Sequence, residues 1–137
     1  MRVGLFIRGN NVHPEVRRSV IQFARWMRLH FKFPIRVPVY LSPNAQIVTK
    51  TRKRVSASFF APYDRSLEPY IRVATGDYIG LRTKHGPDDA LAAILCSVAH
   101  EIVHYQQWIQ GKETREREAV RGAQKILRAY AKAVLHP

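Results

Sequence analysis

The segment 89–110 constrains the fold more than any other part of the 137-residue chain. Its aliphatic residues recur at the three- to four-residue spacing of a helix, and alanines fill much of the remaining surface. A helix that is apolar on nearly all sides is normally buried among other elements. We expect Asp88 or Asp89 to cap its N-terminus and Gly111 to end it.

Two amphipathic helices are predicted on either side of this segment in the chain. The first begins at Pro14, a residue that suits the first helical position, and runs to about Phe31. The second covers about 113–135. Each has apolar side chains on one face and a row of Arg and Lys on the opposite face. We therefore expect each helix to pack one side against the core.

The remaining apolar patterns are typical of strands. Pro34 and Pro38 interrupt one of them, which predicts an edge strand, because proline is poorly tolerated in central strands. Turn residues at 76–77 and 85–87 mark the exit towards the apolar helix. The predicted strands are residues 2–8, 35–41, 55–61 and 69–75, with a basic loop or hairpin tip at Lys50–Arg54.

Together these elements predict an α+β fold in a single domain over residues 1–137. It comprises an N-terminal helix, a small three- to four-stranded, mostly antiparallel sheet, the buried helix and a C-terminal supporting helix. The length of the chain suits one domain with its own core.

Three features bear on the environment of the chain. No run of 18 apolar residues is present, so no membrane insertion is predicted. The N-terminal apolar stretch is interrupted by Arg8 and Asn10, unlike a secretory signal. The single cysteine, Cys96, excludes an internal disulfide and suits a reducing cytosol, so we expect a cytoplasmic location. Cys96 lies in an apolar segment, where we expect a small core residue.

The apolar helix contains the pattern H-E-x-x-H, from His100 through Glu101 to His104. Residues four apart stack on one helix face, so both imidazoles can reach one Zn²⁺ ion. Glu101 lies about 100° further round the helix, where it can serve as the base for a zinc-bound water. The competing interpretation is a pair of hydrogen-bonded core histidines.

A catalytic zinc site normally takes a third protein ligand from another element. Glu116 is preferred because it is in phase with the apolar residues of the last helix, at the middle of the face expected to be buried. Glu118 lies about 160° away and is expected to be a surface carboxylate. Glu113, at the start of the helix, and the loop histidine His85 remain as alternatives.

The H-E-x-x-H pattern, a short turn and the segment Glu116-Arg117-Glu118-Ala119 resemble the gluzincin metallopeptidases. The closest resemblance is to the minigluzincins and to related small phage and bacterial proteins, over residues 35–135. In their E-x-x-A-N/D segment the first Glu binds the metal, which implies this role for Glu116. Val120 stands where these families tend to carry Asn or Asp as support for a metal-bound histidine.

The resemblance implies a zinc-dependent peptidase whose metal ligands are His100, His104 and Glu116, with Glu101 as the catalytic base. An edge strand beside the cleft would bind a peptide or protein substrate in extended form. Ile71–Ala74 is the candidate strand, and the alternative is that this strand only closes the core. A tyrosine or a histidine that stabilises the oxyanion is common in such enzymes. The available tyrosines are Tyr63, Tyr70, Tyr78 and Tyr105, although Tyr105 is expected to belong to the core with Trp108.

The formal net charge of +13 remains to be explained. The basic faces of the first and last helices are expected either to be solvated or to bind nucleic acid or an acidic protein. The SprT-like proteases act on nucleic-acid-bound proteins, but they use a third histidine that has no counterpart after His104. The alternative function is therefore a basic nucleic-acid-binding or regulatory module with a structural or vestigial zinc site. A protein that removes a repressor, as some phage-related relatives do, is a third function class.

Overall fold

The apolar helix spans Pro87–Ile109 in a computed structural model that describes residues 3–137. Leu95, Val98 and Ile102 are almost completely buried, as the all-round apolar pattern predicts. Residues 3–137 form four helices and six strands. In chain order these are β1 (Leu5–Arg8), α1 (Pro14–His30), β2 (Val37–Ser42), β3 (Ile47–Val48), β4 (Arg54–Val55), β5 (Ala57–Phe60), β6 (Tyr70–Ala74), α2 (Tyr78–His85), α3 (Pro87–Ile109) and α4 (Glu116–Ala133).

Four of the strands form one mixed sheet in the order β1-β2-β6-β5. The predicted α+β class and a sheet of four strands are thus confirmed. The expectation of mostly antiparallel pairing was wrong, because β1–β2 and β2–β6 are parallel and only β5–β6 is antiparallel within this sheet of residues 3–137. A crossover through α1 joins β1 to β2, and a helix is the usual connection between parallel neighbours. The separate β3–β4 hairpin places Lys50–Lys53 at its tip, as predicted, whereas Arg54, the last residue of the predicted tip, begins β4.

The predicted edge strand, β2, lies inside the sheet, so this prediction was wrong. The N–H of Val37 bonds to the carbonyl of Gly4 on the β1 side, at 2.9 Å. The backbone N–H groups of successive residues in a strand point to opposite sides of the strand, so the nitrogen of Pro38 is directed towards β6. Pairing with β6 begins one residue later, at Val39 and Ile71. Pro38 is tolerated because it precedes the ladder that its missing N–H would otherwise interrupt.

Some helix boundaries agree with those predicted from the sequence, and others differ. α1 matches its prediction within one residue, whereas α4 begins three residues later than predicted. α3 begins at Pro87 with Gly86 as its N-cap, so Asp88 and Asp89 lie in its first turn and neither is the cap. At the other end Gly111, with φ of +70°, provides the left-handed turn that was expected after α3.

One face of the sheet joins the helices in a continuous core. Leu5, Val39 and Ile71 point into it and are at most 1% exposed. The short helix α2 was not predicted, yet its Tyr78 belongs to the same core. None of the helices in residues 3–137 has both the length and the apolar character that crossing a bilayer requires.

Candidate metal centre

α3 places His100 and His104 one turn apart on the side of the helix that faces the start of α4. Their ring centroids are 4.9 Å apart. The side chain of His104 is 7% exposed, whereas that of His100 is 26% exposed. The pair therefore lies at the boundary between the core and solvent.

Glu116, the first residue of α4, contacts both imidazoles with separate carboxylate oxygens. Its Oε2 lies 3.0 Å from Nε2 of His100, and its Oε1 lies 2.8 Å from Nε2 of His104. Helical phase predicted that this glutamate lies on a buried face, but its side chain is 71% exposed. Glu116 reaches the histidines because the chain turns after α3, so that α4 begins beside His100 and His104.

The alternative third ligands lie apart from this cluster. Glu113 is exposed in the connection between α3 and α4, and Glu118 is exposed on α4, as predicted for a surface carboxylate. His85 is the last residue of α2, rather than a loop residue. Within residues 3–137, no hydrogen bond joins any of these three to His100 or His104.

Gln107 is a part of the site that the sequence analysis missed. It is 2% exposed, and its Oε1 lies 2.9 Å from Nδ1 of His104. The backbone of Arg115 determines the orientation of the amide, since its N–H donates to Oε1 at 3.2 Å and its carbonyl accepts from Nε2 at 3.1 Å. The group facing His104 is therefore an acceptor, and Nδ1 of His104 must carry a proton. The i, i+3 spacing on a buried face was the available signal.

This tautomer has a direct consequence for the other ring nitrogen. In a neutral imidazole with its proton on Nδ1, Nε2 has a lone pair and no hydrogen. That lone pair points at the Glu116 carboxylate from 2.8 Å, an arrangement that requires a cation between the two groups or a proton on one of them. Gln107 thus fixes the tautomer of His104, a role that the sequence analysis expected of a polar residue at the position of Val120.

The donor atoms also have suitable spacing for a metal ion. In a tetrahedral site with bonds of about 2.0–2.1 Å, neighbouring ligand atoms are about 3.3 Å apart. The observed separations of 2.8 and 3.0 Å lie slightly inside that value. One ligand atom each from His100, Glu101 and His104 also lie within 4.8 Å of one another. His100, Glu101 and His104 could therefore hold a metal ion.

Glu101 is a buried carboxylate beside this cluster. It is 5% exposed, and burial raises its pKa from the ordinary value of 4.5 to about 7. Nearby His104 lowers this pKa, whereas the negative charge of Glu116 raises it. Glu101 can therefore exchange a proton near neutral pH.

An open cleft of about 640 Å³ adjoins the cluster. Small side chains from the strand side and from α3 form its walls, and His100, Glu101 and Glu116 lie along it. Cys96, expected as a core residue, is half-buried and lies on this cleft one helical turn before His100. The lining residues are Val55, Ser56, Ala57, Ala93, Cys96, Ser97, His100, Glu101 and Glu116.

The tyrosines considered as oxyanion donors lie elsewhere. Tyr105 belongs to the core, as predicted, and its hydroxyl bonds to the backbone of Ile35. Tyr78 donates to Glu15, and Tyr63 is fully exposed in a loop. Tyr70 lies on the face of the sheet opposite the core. Among residues 3–137, no tyrosine lines the cleft.

Comparison with known proteins adds no family assignment. No protein-family model matches the chain, and no curated protein or solved structure gives a significant match.

Proposed function

We propose that this chain is a zinc-dependent peptidase whose metal is held by His100, His104 and Glu116. One observation carries the proposal: Glu116 contacts both imidazoles at the side of an open cleft, and a buried carboxylate, Glu101, lies next to them. Structural zinc sites have four protein ligands and are closed to solvent, whereas catalytic sites have three and remain open. The cleft next to His100 therefore favours catalysis over a structural role.

The donor set suits zinc, and the H-E-x-x-H arrangement on one helix favours zinc over Fe(II), which takes the same types of donor. Two imidazole nitrogens and one carboxylate oxygen are a combination that zinc takes in hydrolytic sites. A zinc ion bound there would polarise a carbonyl group and lower the pKa of a coordinated water towards neutrality.

Glu101 has the position and the proton affinity of a general base. It follows His100 directly in the sequence, and its ligand atom lies within 4.8 Å of those of both histidines. In the metal-free protein burial raises its pKa to about 7, close to the pH at which a base must both accept and release a proton. In peptide hydrolysis it would take a proton from the attacking water and deliver it to the leaving amine.

The free edge of the sheet offers main-chain groups to a substrate. The N–H of Ala74 donates to the carbonyl of Ser56 at 2.8 Å, so this pair is hydrogen-bonded across the β5–β6 ladder. Alternate residues of an antiparallel strand face the same neighbour, so Ala57 and Phe59 direct their N–H and C=O groups away from β6. An extended peptide can pair with these groups beside the cleft.

This assignment replaces the strand expected from the sequence. Ile71–Ala74 belongs to β6, which is hydrogen-bonded on both sides by β2 and β5 and has no free edge. β5 lies at the edge of the sheet, and Ala57 lines the cleft with His100.

Incubation of the zinc-loaded protein with a mixed peptide library, followed by mass spectrometry, tests the proposal. We expect cleavage by the wild type and by Glu118→Gln, which removes an exposed carboxylate of α4. Glu101→Gln should keep its zinc but cleave at least about 100-fold more slowly. Equal cleavage by Glu101→Gln and the wild type would refute the proposed base. A zinc-loaded wild type that cleaves no peptide would refute the proposed activity.

A further inference from the structure

The face of the sheet opposite the core has an unusual composition. Phe6 pairs in register with Pro38, and Phe60 pairs with Tyr70. The β2–β6 register brings Pro38 beside Tyr70, because their following residues Val39 and Ile71 are partners. One row of ring-bearing side chains therefore crosses all four strands. We call this row, Phe6-Pro38-Tyr70-Phe60, the aromatic row.

The rings of this face contact one another. Phe60 and Tyr70 stack with centroids 5.0 Å apart and an angle of 30°. Tyr40, from the next row, meets Tyr70 edge-on at 6.0 Å. Tyr40 is 45% exposed, and Phe6, Phe60 and Tyr70 are half-buried. The face thus offers flat aromatic surface on three neighbouring strands.

Positively charged groups lie over two of these rings. The guanidinium groups of Arg8 and Arg36 lie 5.5 and 4.9 Å from the centre of the Phe6 ring, and the amino group of Lys50 lies 4.8 Å from that of Phe60. Arg72 is the register partner of Tyr40 on this face. Among these groups, the guanidinium of Arg36 also has an acidic neighbour, because its Nη1 lies 3.8 Å from Oε2 of Glu68.

Two of the guanidinium groups have unused donors. The Nε atoms of Arg36 and Arg72 are buried and have no hydrogen-bond partner within residues 3–137. Arg72 also donates to the carbonyl of Val48 at 3.3 Å, which holds the β3–β4 hairpin over this side of the sheet. Lys50, at the tip of that hairpin, contacts the ring of Phe60, so the tip reaches the aromatic face.

We propose that the aromatic row and Tyr40 bind single-stranded nucleic acid. Unpaired bases can stack on exposed aromatic side chains, and Arg and Lys around the rings can contact the phosphates. A duplex keeps its bases stacked on one another, and an acidic protein offers carboxylates but no bases. This places the nucleic-acid interface on the sheet rather than on the basic helix faces considered from the sequence. The inference is independent of the proposed peptidase activity.

Fluorescence anisotropy tests this with the full chain and a labelled 12-nucleotide single strand. RNA and DNA strands, a duplex of the same sequence and an acidic polyglutamate peptide are compared across a range of salt concentrations. Tyr40→Ala removes one exposed ring, and Tyr40→Phe retains it. Tyr63→Ala is the matched control, because Tyr63 is fully exposed in a loop away from the sheet.

We expect the single strand, as RNA, DNA or both, to bind at least tenfold more tightly than the duplex or the peptide. Tyr40→Ala should weaken binding about tenfold, as expected for the loss of one stacked base. Tyr40→Phe and Tyr63→Ala should bind as the wild type does. Lys53→Ala, at the hairpin tip, should reduce the slope of log affinity against log salt by about 1. Equal binding of single strand and duplex would overturn the proposal, and so would a Tyr40→Ala effect no larger than that of Tyr63→Ala.

Discussion

Glu101→Gln should make the metal-free protein more stable at alkaline pH. The folded chain buries the Glu101 carboxylate, and burial raises its pKa from 4.5 to about 7. The folded state therefore binds this proton more tightly than the unfolded state does. The stabilisation is complete below about pH 4.5 and is lost as the pH rises through about 7. Glutamine has nearly the same shape, stays neutral and avoids that loss.

The size of the effect follows from the same shift. A pKa raised from 4.5 to about 7 corresponds to about 3 kcal/mol of folding free energy lost between acidic and alkaline pH. Glu101→Gln should therefore match the wild type at pH 4 and exceed its free energy of unfolding by about 3 kcal/mol at pH 8. For a chain of this length, the difference corresponds to a rise of about 10 °C in Tm.

Thermal unfolding followed by circular dichroism measures this difference after the metal has been removed with a chelator. Groups that do not interact with Glu101 titrate alike in both proteins, so the comparison reports residue 101 together with its neighbours His104 and Glu116. Glu118→Gln is the matched control, and its Tm relative to the wild type should be the same at both pH values. The reasoning is refuted if the gap between Glu101→Gln and the wild type does not widen from pH 4 to pH 8.

Two further predictions concern the surroundings of the site. Gln107→Leu leaves Nδ1 of His104 without its acceptor and should weaken zinc binding 10- to 100-fold in a competition titration, whereas Gln107→Glu keeps an acceptor and should retain more of the affinity. Gly122→Ala should lower the Tm despite the better helix propensity of alanine, because its new Cβ would lie 2.8 Å from a methyl group of Val103. Gly80→Ala, with nothing within 4 Å of its Cβ, should stabilise the protein by up to about 1 kcal/mol. Equal effects of the two glycine substitutions would contradict the close packing of α3 and α4.

Local patterns made the central helix and its histidines predictable. The burial of α3 follows from its apolar surface, and the i, i+4 geometry of His100 and His104 holds on any α-helix. The end of α3 at Gly111 was also local information. These predictions needed no knowledge of how distant segments meet.

The position of Glu116 was predicted for a partly wrong reason. Helical phase singled it out, but phase does not tell where a helix begins. Glu116 is the first residue of α4 and is largely exposed, and it reaches the histidines because the backbone of Arg115 is held by Gln107. That contact depends on two segments meeting in space, which the pattern of one helix does not encode.

Strand order could not be predicted, because it is set by contacts between distant residues. Pro34 and Pro38 predict an edge strand, although Pro38 precedes the ladder to β6 and does not interrupt it. The aromatic face depends on the same register. Phe6, Tyr40 and Tyr70 are far apart in the sequence, so no local pattern of aromatic and basic residues predicts this face.

The helix α2 was missed for a different reason. Its eight residues span little more than two turns, and its hydrophobic pattern is weak. The flanking Gly76 and Gly86 favoured a loop. Tyr78 stabilises the helix through tertiary contacts, since its ring is buried in the core and its hydroxyl donates to Glu15 of α1.

The metal content of the purified protein tests the central claim most directly. Untagged wild type, Glu116→Ala and Glu118→Ala would be loaded with zinc, dialysed against a weak chelator and measured by elemental mass spectrometry. Contacts of 2.8 and 3.0 Å from Glu116 to the two histidines predict about one zinc per chain in the wild type and Glu118→Ala, and a large loss in Glu116→Ala. A wild type without zinc, or Glu116→Ala with as much zinc as Glu118→Ala, would contradict the assigned site.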